Sequence, residues 1–128
     1  DMAYFSFTDK IFRGEPIAIF GLDQMRDFTY IDDIVDGVIR SLNVNEGFEL
    51  FNLGNNKPVA LMNFIQIIEE AAQKKAILNI TEAQKGEVKK TYAGIDKAKR
   101  CLGFEPKTNL EEGIPLFMEW YRNYILEK

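Results

Sequence analysis

Apolar positions along this 128-residue chain fall into two rhythms, one of helical spacing and one of short unbroken runs. Residues 3–13 read as a helix closed by Gly14 and Pro16, because a glycine past the last turn and a proline beyond it stop helices. Ile17 to Phe20 is an apolar run between Pro16 and Gly21 and reads as a strand. Arg26 to Tyr30 reads as a second. Ile31, Ile34, Val35, Val38, Ile39 and Leu42 recur at i, i+3, i+4 and i+7, which predicts a helix with a buried stripe. Thr29 with Asp32 resembles a capping box, and Asp32 and Asp33 suit the positive end of the helix dipole. Helix capping and dipole stabilisation account for both carboxylates without assigning them chemistry.

Phe48 to Leu53 reads as a strand closed by the turn Gly54-Asn55-Asn56. Leu61, Phe64, Ile65, Ile68 and Ala72 predict an amphipathic helix, although Ala60 is a poor cap. Ala76 to Ile80 reads as a strand, and Asp96 to Leu102 as a short helix ended by Gly103. The last helix starts near Thr108 or Asn109 and carries Leu110, Ile114, Phe117, Tyr121 and Tyr124 on one face. Pro115 falls inside it and predicts a kink or an irregular first turn. The alternation defines an α/β class, a small domain of short strands with about five helices around a common core.

Composition narrows the chemistry. The chain has no histidine, which removes Ser-His-Asp and Cys-His catalysis and most zinc sites. Its single cysteine, Cys101, cannot form an internal disulfide and is expected as a buried spacer in a helix. That usage points to a reduced, cytoplasmic compartment. No apolar run is long enough to span a bilayer, and no basic-then-apolar segment reads as a signal peptide. The net charge of −4 argues against general nucleic-acid binding. The charge is uneven, with Lys85, Lys89, Lys90, Lys97, Lys99 and Arg100 close together. A solvated face is the ordinary meaning of such a cluster, and a small anionic ligand beside it is the sharper one. No G-x-G-x-x-G, P-loop or H-E-x-x-H motif occurs. Tyr124-x-x-x-Lys128 matches the Y-x-x-x-K of short-chain dehydrogenases, but it ends a terminal amphipathic helix, where Tyr124 reads as a packing residue.

The informative stretch is Pro16-Ile17-Ala18-Ile19-Phe20-Gly21 followed by Arg26-Asp27-Phe28-Thr29-Tyr30-Ile31-Asp32-Asp33. With it go Asp1-Met2-Ala3-Tyr4-Phe5, Phe51-Asn52-Leu53-Gly54-Asn55, Lys85-Gly86-Glu87-Val88 and Leu102-Gly103-Phe104-Glu105-Pro106. Together and in order these segments resemble the C-terminal substrate domain of extended short-chain dehydrogenases, the NAD-dependent epimerase/dehydratase family. Within that family they resemble most the UDP-glucuronate 4-epimerases. The resemblance implies a C-terminal piece of a longer enzyme, with residues 1–128 as the UDP-sugar-binding domain. It implies NAD held by an absent N-terminal Rossmann domain, no catalytic residue in this chain, and a homodimeric parent. A sugar-nucleotide dehydratase or decarboxylase of the same superfamily, a non-catalytic nucleotide-sugar module, and a structural interaction domain are the alternatives.

Carried over residue by residue, the resemblance places Arg26 on the substrate phosphates, a role that suits a planar, permanently charged fork. An ion pair with Asp23 or Asp27 is the competing use of that side chain. Ala18 and Phe20 would line the uracil pocket, with strand backbone against the base edge, and Met2 would lie against the same base. Gln84 and Glu87 would contact phosphate and ribose, although Glu87 is one methylene longer than the family's usual Asp. Gly94 also departs from the family pattern, where an Asp follows Tyr-Ala.

Overall fold

Helix α1 (Ala3–Arg13) stops where Gly14 adopts a left-handed conformation at φ 69°, which a side chain would oppose. The chain then turns into strand β1 (Pro16–Phe20), and β2 (Met25–Asp27), α2 (Ile31–Ser41), β3 (Pro58–Ala60) and α3 (Leu61–Ala72) follow. Strand β4 (Ile77–Thr81), α4 (Asp96–Leu102), α5 (Leu110–Tyr121) and a π-helical turn at Arg122–Leu126 complete the order. The computed structural model describes residues 2–44, 47–82, 86 and 88–127.

Two small sheets result. β1 and β4 pair in parallel, Ile17 opposite Leu78 and Phe20 opposite Thr81, with α3 inside the crossover between them. β2 pairs antiparallel with β3, Arg26 opposite Val59. On its other side β2 takes the segment around Lys90 as a parallel neighbour. Met25 donates its N–H to the Lys89 carbonyl at 2.7 Å and accepts that of Thr91 at 3.2 Å. Arg26 therefore sits on the middle strand of a three-stranded patch.

The main core is where α1, α3, α5 and β1 meet. Ile11, Ile17, Ile19, Phe64, Ile65, Ile68, Ile114 and Met118 are buried there. Phe28 stacks on Phe64 with ring centroids 4.0 Å apart, which anchors the segment after β2 to α3. A second, separate cluster of Ile95, Ala98, Leu102 and Phe104 lies under α2. The expected common core is therefore two cores.

Several sequence expectations need correction. The apolar stripe of α2 is not buried: Ile31, Val35, Val38, Ile39 and Leu42 are 46–76% exposed. The helix instead turns Asp33 and Gly37 inward. The Asp33 carboxylate accepts the N–H groups of Lys107 and Thr108, both at 3.0 Å. A Cβ on Gly37 would come within 2.7 Å of Leu53 and 3.0 Å of Phe104, so the glycine permits the close approach of the second cluster. The Thr29–Asp32 capping box does not form. Tyr30 is the cap residue, and the Thr29 hydroxyl accepts the Asn55 N–H at 3.2 Å. The expected strand at Phe48 to Leu53 has no pairing partner among the described residues and is irregular, with Phe48 91% exposed. The second strand is shorter than expected, and β3 was not anticipated. Cys101 is exposed on α4 rather than buried, because Ala98 and Leu102 take the inward positions. Helix α5 runs through Pro115, which has no N–H to give the Glu111 carbonyl, and its last residues widen into the π-helical turn.

Candidate functional site

Arg26 is held by neutral acceptors. Nη1 donates to the carbonyls of Met25 at 2.9 Å and Lys89 at 3.4 Å, and Nη2 donates to Oε1 of Gln24 at 3.2 Å. Both carboxylates weighed as its ion-pair partners are engaged elsewhere. Asp23 accepts from the Lys89 ammonium at 2.6 Å, a hydrogen bond that holds its carboxyl below the usual range. Asp27 accepts three backbone N–H groups, from Asn56 at 2.9 Å, Lys57 at 3.3 Å and Ala93 at 3.0 Å. Among the described residues Arg26 forms no salt bridge. A guanidinium has five N–H donors, so at least two remain for an external acceptor.

Asp27 builds the scaffold next to that arginine. Its carboxylate gathers the turn at 54–57 and the strand-like segment at 89–93 around β2. Gly54 makes the gathering possible, since a Cβ there would lie 2.4 Å from the Ala93 Cβ. Asn56 closes the turn in a left-handed conformation at φ 54°, one of the residue types that tolerate it.

Strand β1 alternates cleanly. Ile17 and Ile19 point into the core, and Ala18 and Phe20 face out, with Phe20 36% exposed. Gly21 donates to Thr81 on the β4 side. The two-residue repeat then turns the backbone groups of Ala18 and Phe20 to the opposite edge, where no described strand pairs. On that edge the Phe20 carbonyl accepts from Nε2 of Gln24 at 2.5 Å. Arg26 and the β1 edge are thus separated by a single carboxamide.

Met2, 63% exposed, precedes α1 and lines a cavity of about 870 Å³. Tyr4, Phe5, Tyr30, Ile31, Phe117 and Trp120 also line it, and Asp27 marks its edge toward Arg26. This apolar hollow does not include Ala18, Phe20 or Arg26, and it runs into the exposed stripe of α2 through Ile31 and Ile34. A doubly charged ligand has no counter-charge inside it, so the polar edge of β1 and β2 is the better site for an anion. Gln84 and Glu87 lie outside the described residues, as do Lys85 and Asp1. Lys90 rests over the Tyr92 ring at 5.2 Å, and Lys97 pairs with Glu49, so part of the lysine cluster is a solvated, paired face. Gln24 and Asp27 are the site residues that sequence reasoning missed. Gln24 lies in the connection before β2, where nothing in the sequence pattern marks it.

A family model described as GDP-mannose 4,6 dehydratase matches residues 6–117. The chain belongs to the NAD-dependent epimerase/dehydratase family, and its fold is that of the C-terminal part of those enzymes. An uncharacterized protein of Methanocaldococcus jannaschii is 45% identical over 122 residues, covering 94% of this chain and 37% of the relative. A probable UDP-glucuronate 4-epimerase of Rhizobium meliloti is 38% identical over 145 residues, covering 97% and 42%. The UDP-glucuronic acid 4-epimerase of Bacillus cereus, solved with UDP-glucuronic acid and NAD, superposes with a TM-score of 0.85 at 30% identity. That match covers 96% of this chain and 40% of the other. The chain thus spans about two fifths of the length of the proteins it matches. No helix among the described residues is long and apolar enough to cross a membrane.

Proposed function

We propose that this chain is the UDP-binding part of an NAD-dependent UDP-sugar 4-epimerase that interconverts UDP-glucuronate and UDP-galacturonate. The observation that carries the reading is Arg26, oriented by neutral acceptors and paired with no carboxylate among the described residues, beside a strand edge that no described strand covers. The guanidinium takes the diphosphate through its free N–H groups. The outward backbone of Ala18 and Phe20 offers donors and acceptors to the amide edge of uracil, and the Phe20 ring offers a flat face. Ala18 leaves room for the base, while Met2 lies on the apolar hollow apart from this edge. Gln84 and Glu87 take phosphate and ribose hydroxyls.

Hydride removal from the sugar C4 and its return to the other face would be supplied by NAD bound on the N-terminal part of such an enzyme. The residues here grip the nucleotide while the keto sugar turns, so that binding energy remote from C4 keeps the intermediate in place. The exposed stripe of α2 and the apolar cavity beside it form the face that the NAD-binding part covers. The names of the Rhizobium meliloti and Bacillus cereus proteins support glucuronate as the sugar acid.

The test is titration of the chain with UDP, followed by amide NMR shifts. Signals of residues 18–20 and 24–26 should move. Arg26→Ala should weaken binding by roughly 1.5–3 kcal/mol, the range for a hydrogen bond to a charged group. Lys at this position should restore only part, because it lacks the fork. Equal affinities for wild type and Arg26→Ala would reject the phosphate role.

A further inference from the structure

Gln24 is a buried polar side chain, 8% exposed, in the connection between β1 and β2. Its backbone carbonyl accepts the Leu61 N–H at 3.0 Å, which ties it to the start of α3. Its carboxamide then works in two directions. Nε2 donates to the Phe20 carbonyl at 2.5 Å, and Oε1 accepts from Nη2 of Arg26 at 3.2 Å. One neighbour is a pure acceptor and the other a pure donor, so a single orientation of the amide satisfies both.

The geometry points to Gln24 as a positioning residue that sets the separation between the base-binding edge of β1 and the guanidinium of Arg26. This rests on the UDP reading above. In one UDP molecule the uracil edge and the diphosphate lie a fixed ribose apart, so their protein partners must keep a fixed spacing. A side chain hydrogen-bonded to both keeps it. The residue type matters as much as the contact. Glutamine orients the guanidinium without neutralising it, so the positive charge stays available to phosphate. Glutamate would pair with Arg26, cancel that charge and set a carboxylate against the Phe20 carbonyl. Methionine would fill a similar volume but leave the carbonyl without its donor and the guanidinium free to swing.

The test uses the 128-residue chain, labelled with nitrogen-15, titrated separately with UDP and with uridine. Amide spectra confirm that each variant is folded. Gln24→Glu should weaken UDP at least about tenfold and weaken uridine less, about as Gln24→Met does, because both variants take the donor from the Phe20 carbonyl and only Gln24→Glu cancels the charge at the phosphate contact. Gln24→Met should weaken both ligands and move the Arg26 Nε–H signal toward that of a free, solvated arginine. In an Arg26→Ala background, Gln24→Met should weaken UDP only as much as it weakens uridine, because no guanidinium is left to be released. Wild type that binds UDP alongside a Gln24→Glu variant that binds it equally well overturns the Gln24 assignment alone. The same holds if Gln24→Glu lowers UDP and uridine in equal proportion. A folded wild type that ignores UDP overturns the UDP reading, and the Gln24 assignment falls with it.

Discussion

Tyr121 shows how one buried hydroxyl links stability to pH. Its ring is 1% exposed among α1 and α5 aromatics, stacked on Phe12 at 5.6 Å, and its hydroxyl donates to Oδ1 of Asp9 at 2.9 Å. Burial, and then the bond to Asp9, push its pKa up to about 12 from 10.0. The folded state therefore holds this proton more tightly than the unfolded chain. The stabilisation is complete below pH 10 and is lost as pH rises from 10 toward 12. Urea unfolding at pH 8.5 and 11.5 should show a wild-type loss of roughly 1–3 kcal/mol from this group. Tyr121→Phe should be less stable than wild type by about 0.5–1.5 kcal/mol at pH 8.5, and the gap should close at pH 11.5. An unchanged gap would show that the hydroxyl is not the titrating group. At this scale the sequence is readable by residue type and silent about partners. The resemblance singles out Arg26 as the candidate for phosphate, a role its chemistry suits, but the engagement of Asp27 with three backbone N–H groups depends on two segments that meet β2 only in the fold. Gln24 is hidden for the same reason, because a loop glutamine has no signature until its two partners are placed.

Helix α2 separates what periodicity can predict from what it cannot. Spacing alone gave the helix and its apolar face correctly. It could not give the direction of that face, because a stripe says that something covers it and not what. Asp33 and Gly37 decide the orientation here, one by clasping the backbone at 107–108 and the other by admitting Leu53 and Phe104. The consequence is measurable. The double change Val38→Ser and Leu42→Ser would cost about 4 kcal/mol or more if the stripe were core, at the lower bound for large-to-small core changes. Because Val38 and Leu42 are 50% and 76% exposed, the expected cost is within about 0.5 kcal/mol for each. The same variant should sediment as a smaller species at high concentration, since it removes apolar surface that invites self-association. A cooperative loss of several kcal/mol would mean that the stripe is packed in solution. The missing strand at Phe48 to Leu53 follows the same rule. Its apolar content is real, but no described strand lies beside it, and an unpaired run of this kind stays irregular.

Across the whole molecule, the polar and apolar features divide the labour. The β1–β2 edge carries Arg26, which pairs with no carboxylate among the described residues, and backbone that no described strand covers, while the α2 stripe and the cavity of about 870 Å³ present apolar surface with no described partner. A domain that both bound and converted a sugar nucleotide would need a hydride acceptor and a positioned base. These 128 residues contain no glycine-rich dinucleotide fingerprint to go with the tyrosine-lysine match of Tyr124 and Lys128. The chain alone, mixed with NAD and UDP-glucuronate, is therefore expected to give no UDP-galacturonate by chromatography. The matching experiment replaces the C-terminal part of the Bacillus cereus enzyme with this chain, a substitution that the TM-score of 0.85 makes geometrically reasonable. The chimera should bind NAD, cover the α2 stripe and turn over UDP-glucuronate. Arg26→Ala in the chimera should raise KM by about tenfold or more, in line with a lost charge-assisted hydrogen bond, without changing NAD affinity. Val38→Glu, nearly silent for stability in the chain alone, should weaken assembly of the chimera, because the charge would then sit in an apolar contact. Turnover by the isolated chain would place a catalytic centre within residues 1–128 and overturn the division of labour. A chimera that folds, binds NAD and turns over substrate equally well with and without Arg26 would place the phosphate grip elsewhere.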